Sequence, residues 1–159
     1  MLIIVDLLKK NTMKINLLLA IAIAFFTSNS NAQSIAHKDS INTIIKMYYD
    51  LNVKVSQADS SPTDVENIFK IFTDDFTYVH PKYGGVYTRE DLHKGYLRNQ
   101  KAGRYNGNVT DIKIINKIVG LDSAVVEKRF ITKDEGEGES QMTLFEFKKG
   151  KISKIFEYW

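Results

Sequence analysis

The sequence predicts an α+β domain in which helices come first and an antiparallel sheet follows. Two observations carry this expectation. Apolar residues recur at helical spacing in three stretches before residue 101, and after residue 107 the character changes to β-rich segments divided by short turns. No internal repeat and no second domain interrupts that order.

The first helix is expected over about residues 34–55, where Ile41, Ile44, Ile45, Tyr48, Leu51 and Val55 form one apolar stripe. "SQADSSP" (56–62) breaks it. Ser61 and Pro62 then read as a helix start, a capping side chain followed by proline at the first position. Val65, Ile68, Phe69 and Phe72 give this second helix its apolar face, and "TDD" (73–75) is expected to end it. Residues 76–80 read as a strand that stops at Pro81, which cannot donate to a ladder. "KYGG" (82–85) is a turn. Thr88 stands three residues before Asp91, so a capping box is expected to open the third helix, which runs to about Gln100. Residues 108–119, 124–133, 140–148 and 151–158 are four strands, and the short turns between them predict consecutive antiparallel pairing.

The N-terminal third has a separate logic. Met13 and Lys14 open a short basic region, residues 15–26 are an apolar run, and residues 27–32 are small and polar. That order predicts a secretory signal peptide over 1–32, with residues 1–12 as an extension ahead of the true start at Met13. The run is short for a stable membrane span, so no span is expected after cleavage, the other reading of the segment being an uncleaved N-terminal anchor. Residues 33–159 would then form the mature domain, exported to the periplasm or secreted. Its net charge would fall from +3 to near +1, and its acidic and basic residues are interleaved, so nucleic acid is not an expected partner. The chain has no cysteine, which excludes thiol catalysis, disulfides and a lipidated cysteine.

Three stretches resemble the nuclear transport factor 2-like superfamily, and within it the SnoaL-like proteins. They are "INTIIKMYYDLN…VENIFKIFTDDFTYVHP", "GGVYTREDLHKGY" and "LFEFKKGKISKIFEYW". Together they cover residues 35–159. The resemblance implies a cone-shaped curved antiparallel sheet wrapped around three N-terminal helices, with a pocket at its open end. It also implies a homodimer packed through the sheets, because an apolar sheet face needs cover. The superfamily hosts isomerases, cyclases and dehydratases as well as proteins that only bind, so the fold by itself assigns no reaction.

In the ketosteroid isomerase branch, an aspartate that shuttles a proton precedes the proline, and the resemblance lays His80 on that position. An imidazole serves as a general base near neutral pH, and the other reading of His80 is a strand-end histidine whose ring bonds a carbonyl or water. Tyr48 or Tyr49 falls near that branch's oxyanion-hole tyrosine, and Thr143 falls where the branch carries a protonated acid. A threonine hydroxyl can donate, but it is not a neutral carboxylic acid, which is a departure from the isomerase pattern. Strand alternation combined with the resemblance sends Glu127, Arg129, Ile155, Glu157 and Trp159 into the cone, and Val126, Lys128, Phe130, Phe156 and Tyr158 outward. Arg129 would then pair with a carboxylate or grip an acidic ligand. A one-residue slip would turn the whole charged set to solvent.

His93 is expected at the rim, and His37 near the cleavage region. No spacing of the three histidines suggests a metal site, and no phosphate, dinucleotide or nucleophile-elbow motif is present. "DEGEGES" (134–140) reads as a hairpin tip. No cofactor is expected. Three functions remain open at this point: an exported protein binding a small apolar or weakly acidic molecule, a proton-transfer enzyme with His80 as base, and a dimeric scaffold.

Overall fold

The computed structural model describes residues 35–158. The segment expected to be a signal peptide and Trp159 lie outside the described residues. Three helices span 35–55 (α1), Pro62–Lys70 (α2) and Arg89–Lys101 (α3). The strands are β1 Phe72–His80, β2 Gly85–Thr88, β3 Val109–Val119, β4 Ser123–Thr132, β5 Gly136–Glu137, β6 Gln141–Lys148 and β7 Lys151–Tyr158.

Local chemistry sets most boundaries. Asp64 Oδ2 accepts from the Ser61 backbone N–H at 2.7 Å while the Ser61 hydroxyl accepts from the Asp64 N–H at 3.3 Å, closing the box that starts α2. Thr88 and Asp91 repeat the arrangement at α3. Lys149 and Gly150, with φ of 52° and 72°, make the two-residue turn between β6 and β7, the twist that matches paired strands. One boundary differs from expectation. Residues 73–75 belong to β1, not to a helix end, because β1 already begins at Phe72, whose ring is buried and stacks on Phe76 at 3.9 Å.

The sheet runs β2-β1-β7-β6-β4-β3, with β5 paired to β4. The last four long strands form the expected antiparallel meander. β1 joins it parallel to β7, so the sheet is mixed. Turn lengths speak only for neighbours in sequence, whereas this pair joins the two ends of the domain.

Register shifts bend β1 between Phe72 and Thr77, β3 between Ile114 and Asn116, and the β6–β7 pair between Glu146 and Phe147. Bulges of this kind curve a sheet and re-aim its side chains. The third one sets the floor of the cone. Ile152 and Ile155 are both buried although three positions apart, and Glu157 follows them onto the same face. α1 lies along this concave wall, with Tyr48 packed edge-on to Phe145 at 5.4 Å. The result is an α+β cone with an unclosed, curved sheet around the helices.

Candidate functional site

The concave wall carries a buried charge pair. Lys128 Nζ donates to both carboxylate oxygens of Glu157, at 3.1 and 2.9 Å, and the Thr143 hydroxyl donates to the same carboxylate at 2.9 Å. The two charged side chains are 3% and 4% exposed. Two charges removed from water are held only when they meet each other and further hydrogen bonds, and this pair meets both conditions. The ammonium also lies over the rings of Tyr49 and Phe130, at 5.6 and 5.1 Å from their centroids.

Above the pair is a chamber of about 200 Å³, walled by Tyr48, Tyr49, Tyr96, Phe130, Lys128 and Glu157 among others. A second chamber of about 420 Å³ adjoins it and includes His80, Tyr87, Tyr105 and Asn99. Asn52, Ser56, Tyr78, Leu92 and Tyr96 border both, so the two are parts of one cavity. The exposed residues Asp91 and Arg98 stand at its mouth. The volume suits a small organic molecule, and the lining mixes six tyrosines and Phe130 with polar and charged side chains, among them Asn52, His80, Asn99, Lys128 and Glu157.

Burial pushes the hydroxyl pKa values of Tyr48, Tyr49 and Tyr96 upward. The Glu157 carboxylate adds to the rise at all three, while Thr143 partly offsets it at Tyr49. All three hydroxyls therefore keep their protons at neutral pH. Tyr96 spends its proton on Asn52 Oδ1 at 2.6 Å, which ties α3 to α1. α3 is otherwise held by polar tethers: Arg89 to the Phe69 carbonyl, Gln100 to the Ser60 carbonyl, and His93 to Glu66 at 2.6 Å. None of its residues is fully buried, but Leu92, Tyr96 and Leu97 pack against the core and Phe69 meets the rings of His93 and Tyr96 edge-on, so α3 covers the cavity as a roof.

The residues singled out from sequence divide into two groups. His80, Tyr48, Thr143 and Glu157 all lie on the inner wall. His80 is buried at the end of β1. Tyr78 pairs with Ile155 and Val79 with Phe156, and the ladder between β1 and β7 ends there, with His80 lining the outer chamber and Glu157 the inner one. Glu157 in turn pairs with Thr143. Glu157, Thr143 and Lys128 thus form a polar row across β7, β6 and β4.

Glu127 and Arg129 are corrections, since they face away from the cone. Arg129 pairs with Glu137 on β5 at 3.3 Å, and the Ser140 hydroxyl donates to Glu127. Ala124, Val126 and Lys128 are the buried positions of β4 instead, one residue out of step with expectation. Both alternating sets of this strand mix apolar and charged residues. The set that turned inward holds the one cation with a buried anion waiting on β7. Charge count offered a clue, since the outward set carries two charges and the inward set one.

Lys128, Tyr96 and Asn52 were not anticipated as lining. Tyr96 and Asn52 sit at half-buried helix positions that carry no separate signal. Among the described residues no group of three or more acidic or histidine side chains could hold a metal, and no helix is long and apolar enough to cross a membrane.

A three-helix, curved-sheet domain with a cavity between sheet and helices defines a pocket-forming cone. The chain has the nuclear transport factor 2-like fold. A protein of this class from Burkholderia xenovorans LB400, of unknown function, superposes with a TM-score of 0.53 at 15% identity, over 77% of this chain and 84% of that one. A candidate polyketide cyclase from Sinorhizobium meliloti gives 0.51 at 17% identity, over 74% and 97%. A de novo designed protein with a curved β-sheet gives 0.54 at 17% identity, over 76% and 84%. No protein-family model and no curated protein sequence matches the chain.

The charge pair makes a direct prediction. Lys128→Ala strands a buried carboxylate and lowers unfolding stability by about 3–5 kcal/mol. The double change Lys128→Met/Glu157→Leu recovers most of that loss in chemical denaturation. Equal stability of Lys128→Ala and the wild type would contradict the geometry.

Proposed function

We propose that this protein binds a small, largely apolar, uncharged or weakly acidic molecule inside the cone. The observation that carries the reading is the tyrosine-walled cavity ending on a polar floor. Its aromatic faces suit an apolar body. Lys128 and Glu157 balance each other, so the floor has no spare charge to hold a strong anion. Solved proteins of the same fold include a candidate polyketide cyclase, which is consistent with a small-molecule pocket.

A second reading, a proton-transfer enzyme, is supported by the place of His80, which is buried at the end of β1 and lines the outer chamber. An imidazole at the wall of a cavity can take a proton from a bound molecule and return it at another position. One set of measurements addresses both. Compounds that bind should raise Tm in a concentration-dependent way. Leu92→Trp, which fills the space shared by the two chambers, should abolish the shift. A diverse library that shifts nothing would remove the binding reading. Full turnover of an identified ligand by His80→Ala would remove the catalytic one.

We propose export on the order of basic, apolar and small polar segments in residues 13–32. Intact-mass measurement of protein recovered outside the cytoplasm should find Gln33 as the first residue, and retention of residues 13–32 would contradict it.

We also propose that the outer sheet face pairs two copies of the chain. Ile118, Met142 and Tyr158 are 70%, 44% and 44% exposed there, around a cleft they share with Val125, Lys117 and Glu127. Lys117 and Glu127 offer opposite charges that a twofold axis can bring face to face. Sedimentation should give a dimer for the wild type and a monomer for Ile118→Lys. A monomeric wild type at high micromolar concentration would end the idea.

A further inference from the structure

α3 turns one face to the outer chamber. Its lining positions are Asp91, Leu92, Gly95, Tyr96, Arg98 and Asn99. At 100° per residue these fall on one side of the helix, and Gly95 lies near the middle of that side. The centre of the roof over the ligand chamber therefore carries no side chain.

Nothing else in the fold asks for glycine at this position. Gly95 is not among the glycines with positive φ. Among the described residues no atom outside its own helix backbone lies within 4 Å of where its Cβ would stand, so no close backbone approach there requires it. It sits mid-helix, where glycine is among the poorest residues. A residue that weakens its helix without a local reason, and faces an open chamber, is explained by the space it leaves.

We propose that Gly95 sets the size limit of the cavity and is a specificity-determining residue for the ligand. This rests on the pocket reading given above and narrows it. The ligand is a ring-bearing, uncharged molecule whose wide apolar end lies under α3 at Gly95. Tyr78 and Tyr87, with ring centroids 6.2 Å apart, line the same chamber, as do Tyr96 and Tyr105 at 6.4 Å. The narrow inner chamber then takes the smaller end of the molecule, toward Lys128 and Tyr49. A side chain at 95 would occupy the volume that separates a large ligand from a small one.

The test uses two neutral fluorescent or displacing probes of different size, N-phenyl-1-naphthylamine and indole, with the wild type, Gly95→Ala and Gly95→Leu. Gly95→Ala should raise Tm by about 3–5 °C, because the helix improves and the methyl meets no atom. Gly95→Leu should bind the naphthylamine roughly tenfold more weakly or not at all, while binding indole as the wild type does. A wild-type protein that binds both probes, with unchanged naphthylamine affinity in Gly95→Leu, would overturn the role of Gly95 and leave the pocket reading standing. A fall in Tm for Gly95→Ala would overturn it too, since the glycine would then be structural. A wild type that binds neither probe would overturn the pocket reading and this inference together.

Discussion

The buried pair of Lys128 and Glu157 is the constraint around which the inner half of this molecule is arranged. It spans from β4 to β7 across β6, and Thr143 on the intervening strand completes the carboxylate's hydrogen bonds. Separating the charges inside the cone would leave each without water, so the three strands are tied in one register. The pair also decides what can lie above it. A hydrocarbon cover would gain nothing from the ammonium, whereas tyrosine rings do, and α1 presents Tyr48 and Tyr49 to the same wall. The floor of the cavity is polar and the sides are aromatic for one reason.

Curvature brings that pair together. In a strand of strict alternation, a buried Ile152 would send Ile155 and Glu157 outward. The irregularity between β6 and β7 resets the parity, so that all three face in. The bends in β1 and β3 complete the cone and leave a gap between sheet and helices that the side chains do not fill. α3 closes part of that gap with hydrogen bonds together with the half-buried Leu92, Tyr96 and Leu97, which pack against the core.

Much of the architecture was legible from neighbouring residues. Ser61 with Asp64 and Thr88 with Asp91 announce the starts of α2 and α3. Proline after His80 ends β1, and the turn before Lys151 joins the last two strands. Part of the inner wall was legible as well, since His80, Tyr48, Thr143 and Glu157 all border or support the cavity. β4 was misread because its two alternating sets look alike in isolation. Val126 and Phe130 on one side match Val125 and Ile131 on the other, and lysine beside them resembles a solvent residue. Nothing within ten residues of Lys128 reveals that its counter-ion stands on the final strand.

The amino-acid order alone determined the helix starts, the strand segments, the tight turns and the absence of cysteine chemistry, because each depends on groups a few residues apart. Tertiary structure decided the parallel joining of β1 to β7, the inward turn of Lys128 in place of Glu127 and Arg129, and the emptiness opposite Gly95. Those features arise from pairings between distant segments, where the energy of a buried charge or the volume of a cavity depends on residues that approach only after the chain has closed.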